Sequence, residues 1–305
     1  MGIPAALPPR FVVLPDQIGL RLDQFLAQVT TWSRRKAREI LSDGVVLRNG
    51  RTLRVASRSL ELGDVIEIEP RAGAEPRRTA SLPPVEIVFE DRSLVVGNKP
   101  AGLLSQPAED RQPGELAFDE LLLCHLALRD GQKPFLRLVH RIDRTTSGLL
   151  LFARAPEALP PLAEAWQSGA VERRYLAVIE GVPPFDRTTI EAPIGRVDGG
   201  AWKFEVAARG LPATTEVRVL RRGASMSEVE CRLVTGRTHQ VRVHLAHLGF
   251  PVLGDRRYGA RHFGMGRPLL HAAALSLPHP ATGMQLEVRA ELPPDWMSIE
   301  REVTG

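Results

Sequence analysis

The chain has 305 residues, of which 43% are apolar, and a formal net charge of +4, so it is longer than one average domain and can bury a substantial core. Its two cysteines, Cys124 and Cys231, exclude a disulfide framework and a Cys-x-x-Cys metal site, and we expect both to be buried as small apolar residues. No apolar run approaches the roughly 18 residues of a membrane span, and residues 1–10 lack the features of a signal peptide, so a cytoplasmic protein is expected.

The N-terminal quarter of the chain carries the whole excess of positive charge. Residues 1–80 contain 13 Lys or Arg against 9 Asp or Glu, whereas residues 81–305 contain 27 of each. An excess of positive charge is typical of a protein that binds a polyanion, although +4 by itself is only weak support for such a partner.

The same quarter has the pattern of two helices, a hairpin and a strand. Apolar residues at helical spacing over 22–29 predict one amphipathic helix, and Ser33 is a suitable N-cap for a second. Asn49-Gly50 predicts a two-residue hairpin turn, and a last strand is predicted over 65–69. In this order, with Arg-Leu-Asp at 21–23, the elements resemble the small RNA-binding domain named after ribosomal protein S-four.

The second predicted helix begins with a concentration of positive charge. Arg34, Arg35 and Lys36 occupy its first turn and Arg38 follows. The N-terminus of a helix is already the positive end of its dipole, so an exposed cation there costs about 0.3–1 kcal/mol. These side chains could form a solvated surface, but three cations at the unfavourable end favour a site that binds RNA phosphates. Trp32 could stack on a base, although a packing role is more common for a Trp beside a helix start.

Residues 71–84 are rich in proline and poor in bulky apolar side chains, which is typical of a linker. Beyond them, apolar residues predict a helix near Trp166 and several strands. The predicted strands lie at 85–89, 94–97, 149–153, 171–179 and 228–233. The sequence therefore predicts an α+β protein, in which a small helix-plus-hairpin domain (11–70) precedes a larger domain (85–297) with a mixed, largely antiparallel sheet flanked by helices.

A single carboxylate between two arginines is the most informative feature of the larger domain. Asp143 lies between Arg141 and Arg144 in a polar segment that continues into a predicted buried strand. Rigid scaffolds commonly present reactive side chains on a loop at the end of a strand. The letters His-Arg-Ile-Asp-Arg-Thr-Thr-Ser-Gly-Leu-Leu-Leu, over 140–151, resemble the active-site motif of the RluA-type pseudouridine synthases, which isomerise uridine in ribosomal and other RNAs. Ile142 replaces the Leu that is usual in that family.

Further segments similar to the motifs of this family follow along the chain. They are an Asn-Lys-Pro-x-Gly segment at 98–102, a segment with a Tyr at 172–181, and Thr-Gly-Arg-Thr-His-Gln at 235–240, which continues through Gly254-Asp255. Several ordered, multi-letter matches between about residue 20 and about residue 280 are far more specific together than any one of them alone.

The resemblance implies an enzyme that converts uridine to pseudouridine without a cofactor. Such a reaction replaces a nitrogen–carbon bond to the sugar by a carbon–carbon bond with no redox change. One positioned carboxylate can act in it as a nucleophile or as a base. By resemblance, Asp143 is the catalytic residue. Whether it attacks the sugar, attacks the uracil ring or removes a sugar proton stays open.

Three other residues receive roles from the resemblance. Arg242 lies on a predicted helix, one step off the buried face, where it could be a surface arginine. Its family counterpart pairs with the catalytic carboxylate and would keep Asp143 ionised. Tyr175 taken alone would be a core aromatic of a strand, but the resemblance implies that it packs on the target uracil. Arg141 could bond backbone carbonyls, whereas its family counterpart helps to hold the target nucleotide out of its stack.

Other chemistries find less support in the sequence. His239, His244 and His247 lack a spacing that places three metal ligands on one helix face, so we expect structural histidines and no metal. A non-catalytic RNA-binding or ribosome-assembly protein is one alternative, and a glycosidase with paired carboxylates is another. The sequence therefore predicts a monomeric RNA pseudouridine synthase that uses no cofactor. Large-subunit ribosomal RNA is the expected substrate, and transfer RNA is the alternative.

Overall fold

The computed structural model describes residues 9–69, 72, 74, 82–109, 111, 112, 115–197, 203–262, 264 and 266–296. Most of the predicted linker at 71–84 therefore lies outside the described residues. Contacts within the chain define two compact units, Met1–Val85 with Gln106–Leu136 and Glu86–Ser105 with Arg137–Gly305. None of the helices in the described ranges combines the length and the apolar character that crossing a bilayer requires.

The first unit combines three helices with a four-stranded antiparallel sheet. Its helices are α1 (Leu22–Val29), α2 (Arg34–Ser42) and α3 (Phe118–Asp130). Its strands are β1 (Arg10–Val12), β2 (Val46–Arg48), β3 (Arg51–Thr52) and β4 (Val65–Ile68). They lie side by side in the order β1-β4-β2-β3. The predicted pair of helices, the hairpin and the last strand are thus confirmed.

Local sequence explains the ends of these elements. The Ser33 hydroxyl accepts a hydrogen bond from the backbone N–H of Lys36 at 3.2 Å, which caps α2 as predicted. Asn49 and Gly50 have φ values of 49° and 75°, the left-handed conformation that a two-residue turn between β2 and β3 requires. Trp32 is buried in the core of the unit, which confirms the packing role.

Helix α3 lies in the first unit, although the sequence-based division places its residues in the larger domain. Leu123 contacts the turn at Gly63, where an added Cβ would come within 3.0 Å of its side chain. Just beyond the helix, the Lys133 ammonium forms an ion pair with Glu61 at 3.1 Å. The segment 106–136 belongs with the N-terminal elements because of this apolar packing and this ion pair, although it is distant from them in sequence.

The second unit is built on a ten-stranded sheet. Eight of its strands lie in the order β10-β13-β14-β9-β15-β8-β6-β5, while β16 pairs with β15 and β7 pairs with β8. The strands of this unit are β5 (Glu86–Glu90), β6 (Leu94–Lys99), β7 (Arg137–Leu138), β8 (Ser147–Ala153), β9 (Glu172–Glu180), β10 (Arg187–Glu191), β11 (Ile194–Arg196), β12 (Phe204–Val206), β13 (Thr214–Arg222), β14 (Met226–Leu233), β15 (Leu270–Pro278) and β16 (Gln285–Arg289). Strands β11 and β12 form a separate two-stranded sheet, and the helices are α4 (Leu159–Gln167) and α5 (Gln240–His247).

Strand pairing confirms the predicted mixed, largely antiparallel sheet. Only β8 and β15 run parallel among the described strand pairs of this sheet. Every residue of β8 is buried, as its apolar sequence predicts. At the parallel contact Gly148 has a φ of 115°, and an added Cβ would lie 2.3 Å from the carbonyl oxygen of Ala272. Only glycine therefore fits at this position, directly after the loop that carries Asp143.

Both cysteines are buried, as expected. Burial raises the pKa of the Cys124 thiol on α3 to about 12, and it also raises the pKa of Cys231 on β14. Because the thiolate is the reactive form, neither side chain is suited to nucleophilic chemistry at neutral pH.

Candidate active site

Asp143 lies on the loop between β7 and β8, and that loop is held by backbone hydrogen bonds. The Thr146 N–H donates to the Asp143 carbonyl at 3.1 Å, and the Gly102 N–H donates to the Arg144 carbonyl at 2.8 Å. The Ser105 hydroxyl donates to the Ile142 carbonyl at 2.7 Å. A side chain on such a loop keeps its position without help from a substrate.

Lys99, at the end of β6, supports the same loop from inside the unit. Its ammonium group is buried and donates to the carbonyls of Pro100, Leu103 and Arg144 at 3.0, 2.8 and 3.2 Å. Burial lowers the pKa of Lys99 to about 7, although the negative charge of Asp143 acts in the opposite direction. The three carbonyls match the three N–H groups of the ammonium form. Lys99 thus ties the Pro100–Leu103 loop to the loop of Asp143.

The resemblance implied that Arg242 pairs with Asp143, and the structure brings the two side chains together. Nη1 of Arg242 lies 3.3 Å from Oδ2 of Asp143. The arginine is only 5% exposed, whereas 22% of the Asp143 side chain stays accessible. The pair therefore has one buried member and one member that solvent or a substrate can reach.

A second carboxylate binds the rest of the Arg242 guanidinium. Nε and Nη2 donate to the two oxygens of buried Asp255 at 2.6 and 2.9 Å, a bidentate arrangement. Burial alone would lower the pKa of Arg242, but the hydrogen bonds and charge of Asp255 outweigh it and raise the pKa. The arginine is therefore a permanent cation between two carboxylates, and its Nη1 is left to face Asp143.

The position of Arg242 on its helix differs from the prediction. We expected it one step off the buried face, but residues 240–245 of α5 are all buried, because the helix is covered on nearly every side. Sequence reasoning also missed Asp255. The signal was present, since Gly254-Asp255 belongs to the continued third motif, but spacing alone gave its carboxylate no partner.

Tyr175 projects from β9 and is 7% exposed. Burial raises the pKa of its phenol to about 12, the positive charge of Arg173 opposes this shift, and the negative charge of Asp143 adds to it. The tyrosine is therefore a protonated phenol within the electrostatic range of Asp143. Tyr175 is thus a buried aromatic of its strand, and its phenol also feels the charge of the Asp143 carboxylate.

His239 lies beside Asp143, where we had expected only a structural histidine. Its Nε2 is 3.9 Å from Oδ2 of Asp143, and its Nδ1 is 2.7 Å from the hydroxyl of Tyr258. His244 fits the structural interpretation, because its two ring nitrogens bond Thr215 and Ala192 at 2.9 Å. Within the described ranges, no three His, Cys, Asp or Glu side chains are grouped as a metal site would require.

Arg141 is exposed, while its neighbour Ile142 is buried. The loop therefore directs the two side chains to different environments, with Arg141 at the surface beside Asp143. His140, which opens the motif, instead stacks on Trp166 with ring centroids 5.1 Å apart and accepts a hydrogen bond from the Leu151 N–H at 3.2 Å.

In the first unit, two basic residues of α2 form ion pairs with a buried carboxylate, that of Asp23, which sequence reasoning did not foresee. Arg38 and Arg34 bond buried Asp23 at 2.7 and 3.4 Å. Burial would raise the pKa of Asp23, but the bonds from Arg38 and Arg21 lower it overall. Two of the four cations are thus partly neutralised within the fold. The other two, Arg35 and Lys36, are exposed, and Lys36 lies 3.5 Å from exposed Glu39.

Comparison with known proteins identifies the class of this molecule. Residues 93–247 match the family model described as RNA pseudouridylate synthase, and residues 20–66 match the S4 domain. An uncharacterised RNA pseudouridine synthase of Bacillus subtilis is 37% identical over 93% of this chain and 94% of its own length. Ribosomal large subunit pseudouridine synthase D of Zymomonas mobilis is 36% identical over 95% of this chain and 96% of its own.

A solved structure supports the same conclusion. Human RNA pseudouridylate synthase domain containing 1 has a TM-score of 0.58 and 28% identity, over 70% of this chain and 86% of its own. The chain belongs to the RNA pseudouridylate synthase family. It is a pseudouridine synthase with an S4 domain near its N-terminus, which confirms the resemblance that the motifs indicated.

Proposed function

We propose that this pseudouridine synthase isomerises specific uridines of large-subunit ribosomal RNA, with Asp143 as its catalytic residue and without a cofactor. The observation that carries the proposal is the ion pair between half-buried Asp143 and buried Arg242 at the end of β8. The choice of RNA is supported by several relatives at 32–36% identity that are named ribosomal large subunit pseudouridine synthase D.

The arrangement suits the chemistry of the reaction. The bond between C1′ of the ribose and N1 of the uracil breaks and a bond between C1′ and C5 forms, while C5 loses its proton and N1 gains one by exchange with solvent. A group beside the sugar must therefore accept or stabilise charge transiently. Asp143 is accessible to a nucleotide, and Arg242 orients it through one oxygen only. Asp255 takes up most of the hydrogen bonding of Arg242, so the arginine does not bind Asp143 too tightly.

Tyr175 and Arg141 complete the proposed substrate site. The ring of Tyr175, whose hydroxyl stays protonated, offers a rigid face for the uracil to pack against. Arg141 is exposed beside Asp143, where its guanidinium can occupy the space that an everted base leaves in the RNA. Removing a base from its stack costs a few kcal/mol, which such an insertion offsets.

The N-terminal elements are proposed to anchor the RNA. Arg34, Arg35, Lys36 and Arg38 lie in the first turns of α2, and Asp23 compensates only part of their charge. Phosphate groups can use the remaining charge together with the free N–H groups at the start of the helix. We propose the corresponding division into an RNA-binding domain at 11–70, a linker at 71–84 and a catalytic domain at 85–297, whose segment 106–136 belongs to the first compact unit, in a monomeric cytoplasmic protein.

Mapping of pseudouridines in total RNA tests the substrate and the residue together. In a strain that lacks the gene, we expect specific pseudouridines of large-subunit ribosomal RNA to disappear. The wild-type gene should restore them and the Asp143→Asn gene should not, at equal protein levels. Loss of pseudouridine from transfer RNA alone would contradict the ribosomal assignment. Full restoration by Asp143→Asn would contradict the role of Asp143.

A further inference from the structure

His239 adopts a strained backbone conformation next to the catalytic carboxylate. Its φ of 58° lies in the left-handed region, and the residue directly precedes α5. For a residue other than glycine this conformation is unfavourable and persists only where the surroundings enforce it, as they often do at functional sites. The proposed mechanism gives His239 no part so far.

A chain of hydrogen bonds favours one position for the proton on the His239 ring. The backbone N–H of Phe204 on β12 can only donate, so the Tyr258 hydroxyl oxygen accepts from it at 3.2 Å. The hydroxyl proton of Tyr258 is then available to Nδ1 of His239, 2.7 Å away. With Nδ1 as the acceptor of this bond, the neutral ring carries its proton on Nε2, the nitrogen that faces Oδ2 of Asp143.

Both members of this chain stay uncharged at neutral pH. Burial lowers the pKa of His239, and the opposing effect of Asp143 does not reverse the shift. Burial also raises the pKa of Tyr258, so its phenol keeps the proton that it donates. The rings of Phe204 and Tyr258 approach the imidazole edge-on, with centroids 5.7 and 5.6 Å away, and hold its orientation.

We infer that His239 is a positioning residue, whose Nε2–H group holds Oδ2 of Asp143 once RNA is bound and leaves Oδ1 free to react. The inference rests on the proposed catalytic role of Asp143. The separation of 3.9 Å is longer than a hydrogen bond, and the inference requires it to shorten when RNA binds, as catalytic hydrogen bonds do in substrate complexes. Arg242 faces the same oxygen at 3.3 Å. A neutral second donor orients the carboxylate without adding a second cation, which would weaken it as a base or nucleophile.

The tautomer of His239 is a test that needs no activity. Two-bond nitrogen–proton NMR correlations of full-length protein labelled with ¹⁵N-histidine report which nitrogen of each ring is protonated, and His239→Gln assigns the signal among the eight histidines. We expect the Nε2–H form in wild type and a mixture of tautomers in Tyr258→Phe. An Nδ1–H ring or an imidazolium in wild type would overturn the inference.

Kinetics tests the positioning role. His239→Leu should lower the single-turnover rate by about 10- to 100-fold, as removal of a supporting hydrogen bond to a reactive group does. The KM for RNA should change less than about twofold, and His239→Gln, which retains an N–H donor, should recover part of the rate. His247→Gln, an exposed histidine of the same helix, is the matched control and should match wild type.

The outcomes separate the two proposals. Wild-type turnover by His239→Leu, together with an inactive Asp143→Asn, would refute the positioning role alone. Wild-type turnover by Asp143→Asn would refute the proposed function, and the positioning role would fail with it.

Discussion

Asp255 shares the Arg242 guanidinium with Asp143, and Asp255→Asn tests whether this sharing sets how strongly Arg242 binds the Asp143 carboxylate. The substitution keeps the size of the side chain but replaces one acceptor oxygen by an N–H donor that faces the guanidinium. One of the two buried bonds, at 2.6 and 2.9 Å, is therefore lost. A hydrogen bond between charged groups contributes about 1.5–3 kcal/mol, and Arg242, now short of one anion, should move closer to Asp143.

The expected loss of activity follows from that bond. If most of the free energy of this hydrogen bond stabilises the transition state, its loss lowers kcat by about 10- to 100-fold, because about 1.4 kcal/mol corresponds to tenfold in rate. RNA binding should be nearly unchanged, since Asp255 is 1% exposed. The free energy of unfolding should fall by about 3 kcal/mol, the lower end for a broken buried ion pair, because Asp143 still partners the arginine.

Release of tritium from saturating RNA labelled at C5 of uridine under multiple turnover measures kcat, and urea denaturation measures stability. The control is Asp295→Asn, because Asp295 binds Arg267, rather than Arg242, in a similar bidentate way, with distances of 2.6 and 2.8 Å. We expect this control to lose stability and to keep its kcat. A wild-type kcat in Asp255→Asn, or an equal drop in both variants, would refute the reasoning.

Three further predictions concern the loop, the RNA anchor and the sheet. The pKa of Lys99 is lowered to about 7 in the folded protein, so above that pH the unfolded chain binds more protons than the folded one. In urea denaturation, the stability of wild type relative to Lys99→Met should therefore increase as the pH rises from about 7 to 10. A stability difference that does not change with pH would contradict this. Arg35→Gln with Lys36→Gln should weaken RNA binding uniformly and reduce its salt slope by about one per cation in a titration; an unchanged slope would count against the anchor. Gly148→Ala, whose Cβ meets backbone at 2.3 Å, should lower the melting temperature far more than Gly169→Ala, which meets nothing within 4 Å; equal shifts would exclude the close contact.

Local patterns in the sequence were sufficient for the elements that depend on neighbouring residues. The N-cap at Ser33 and the turn at Asn49-Gly50 involve contacts within a few residues, so their geometry follows from the letters. The placement of α3 could not be predicted in this way. It depends on packing against the turn at Gly63, which is distant in sequence.

The candidate site shows the same difference between features that local sequence predicts and features that depend on long-range packing. Asp143 and Arg242 were found because ordered motifs resemble a known family, and the structure then brought them within 3.3 Å. The roles of Asp255 and His239 depend on side chains that meet only after α5 has packed, so spacing alone could not assign them partners. For the same reason, Asp23 was not recognised as the internal anion of the basic helix.

We propose that the carboxylate of Asp143, held by Arg242, carries out the isomerisation. The most direct test is tritium release from uridine-labelled RNA by purified Asp143→Asn, with Asp186→Asn, an exposed aspartate 87% accessible, as control. We predict that Asp143→Asn binds RNA as wild type does and releases no tritium above background, while the control is fully active. Release at a rate close to wild type by Asp143→Asn would contradict the claim.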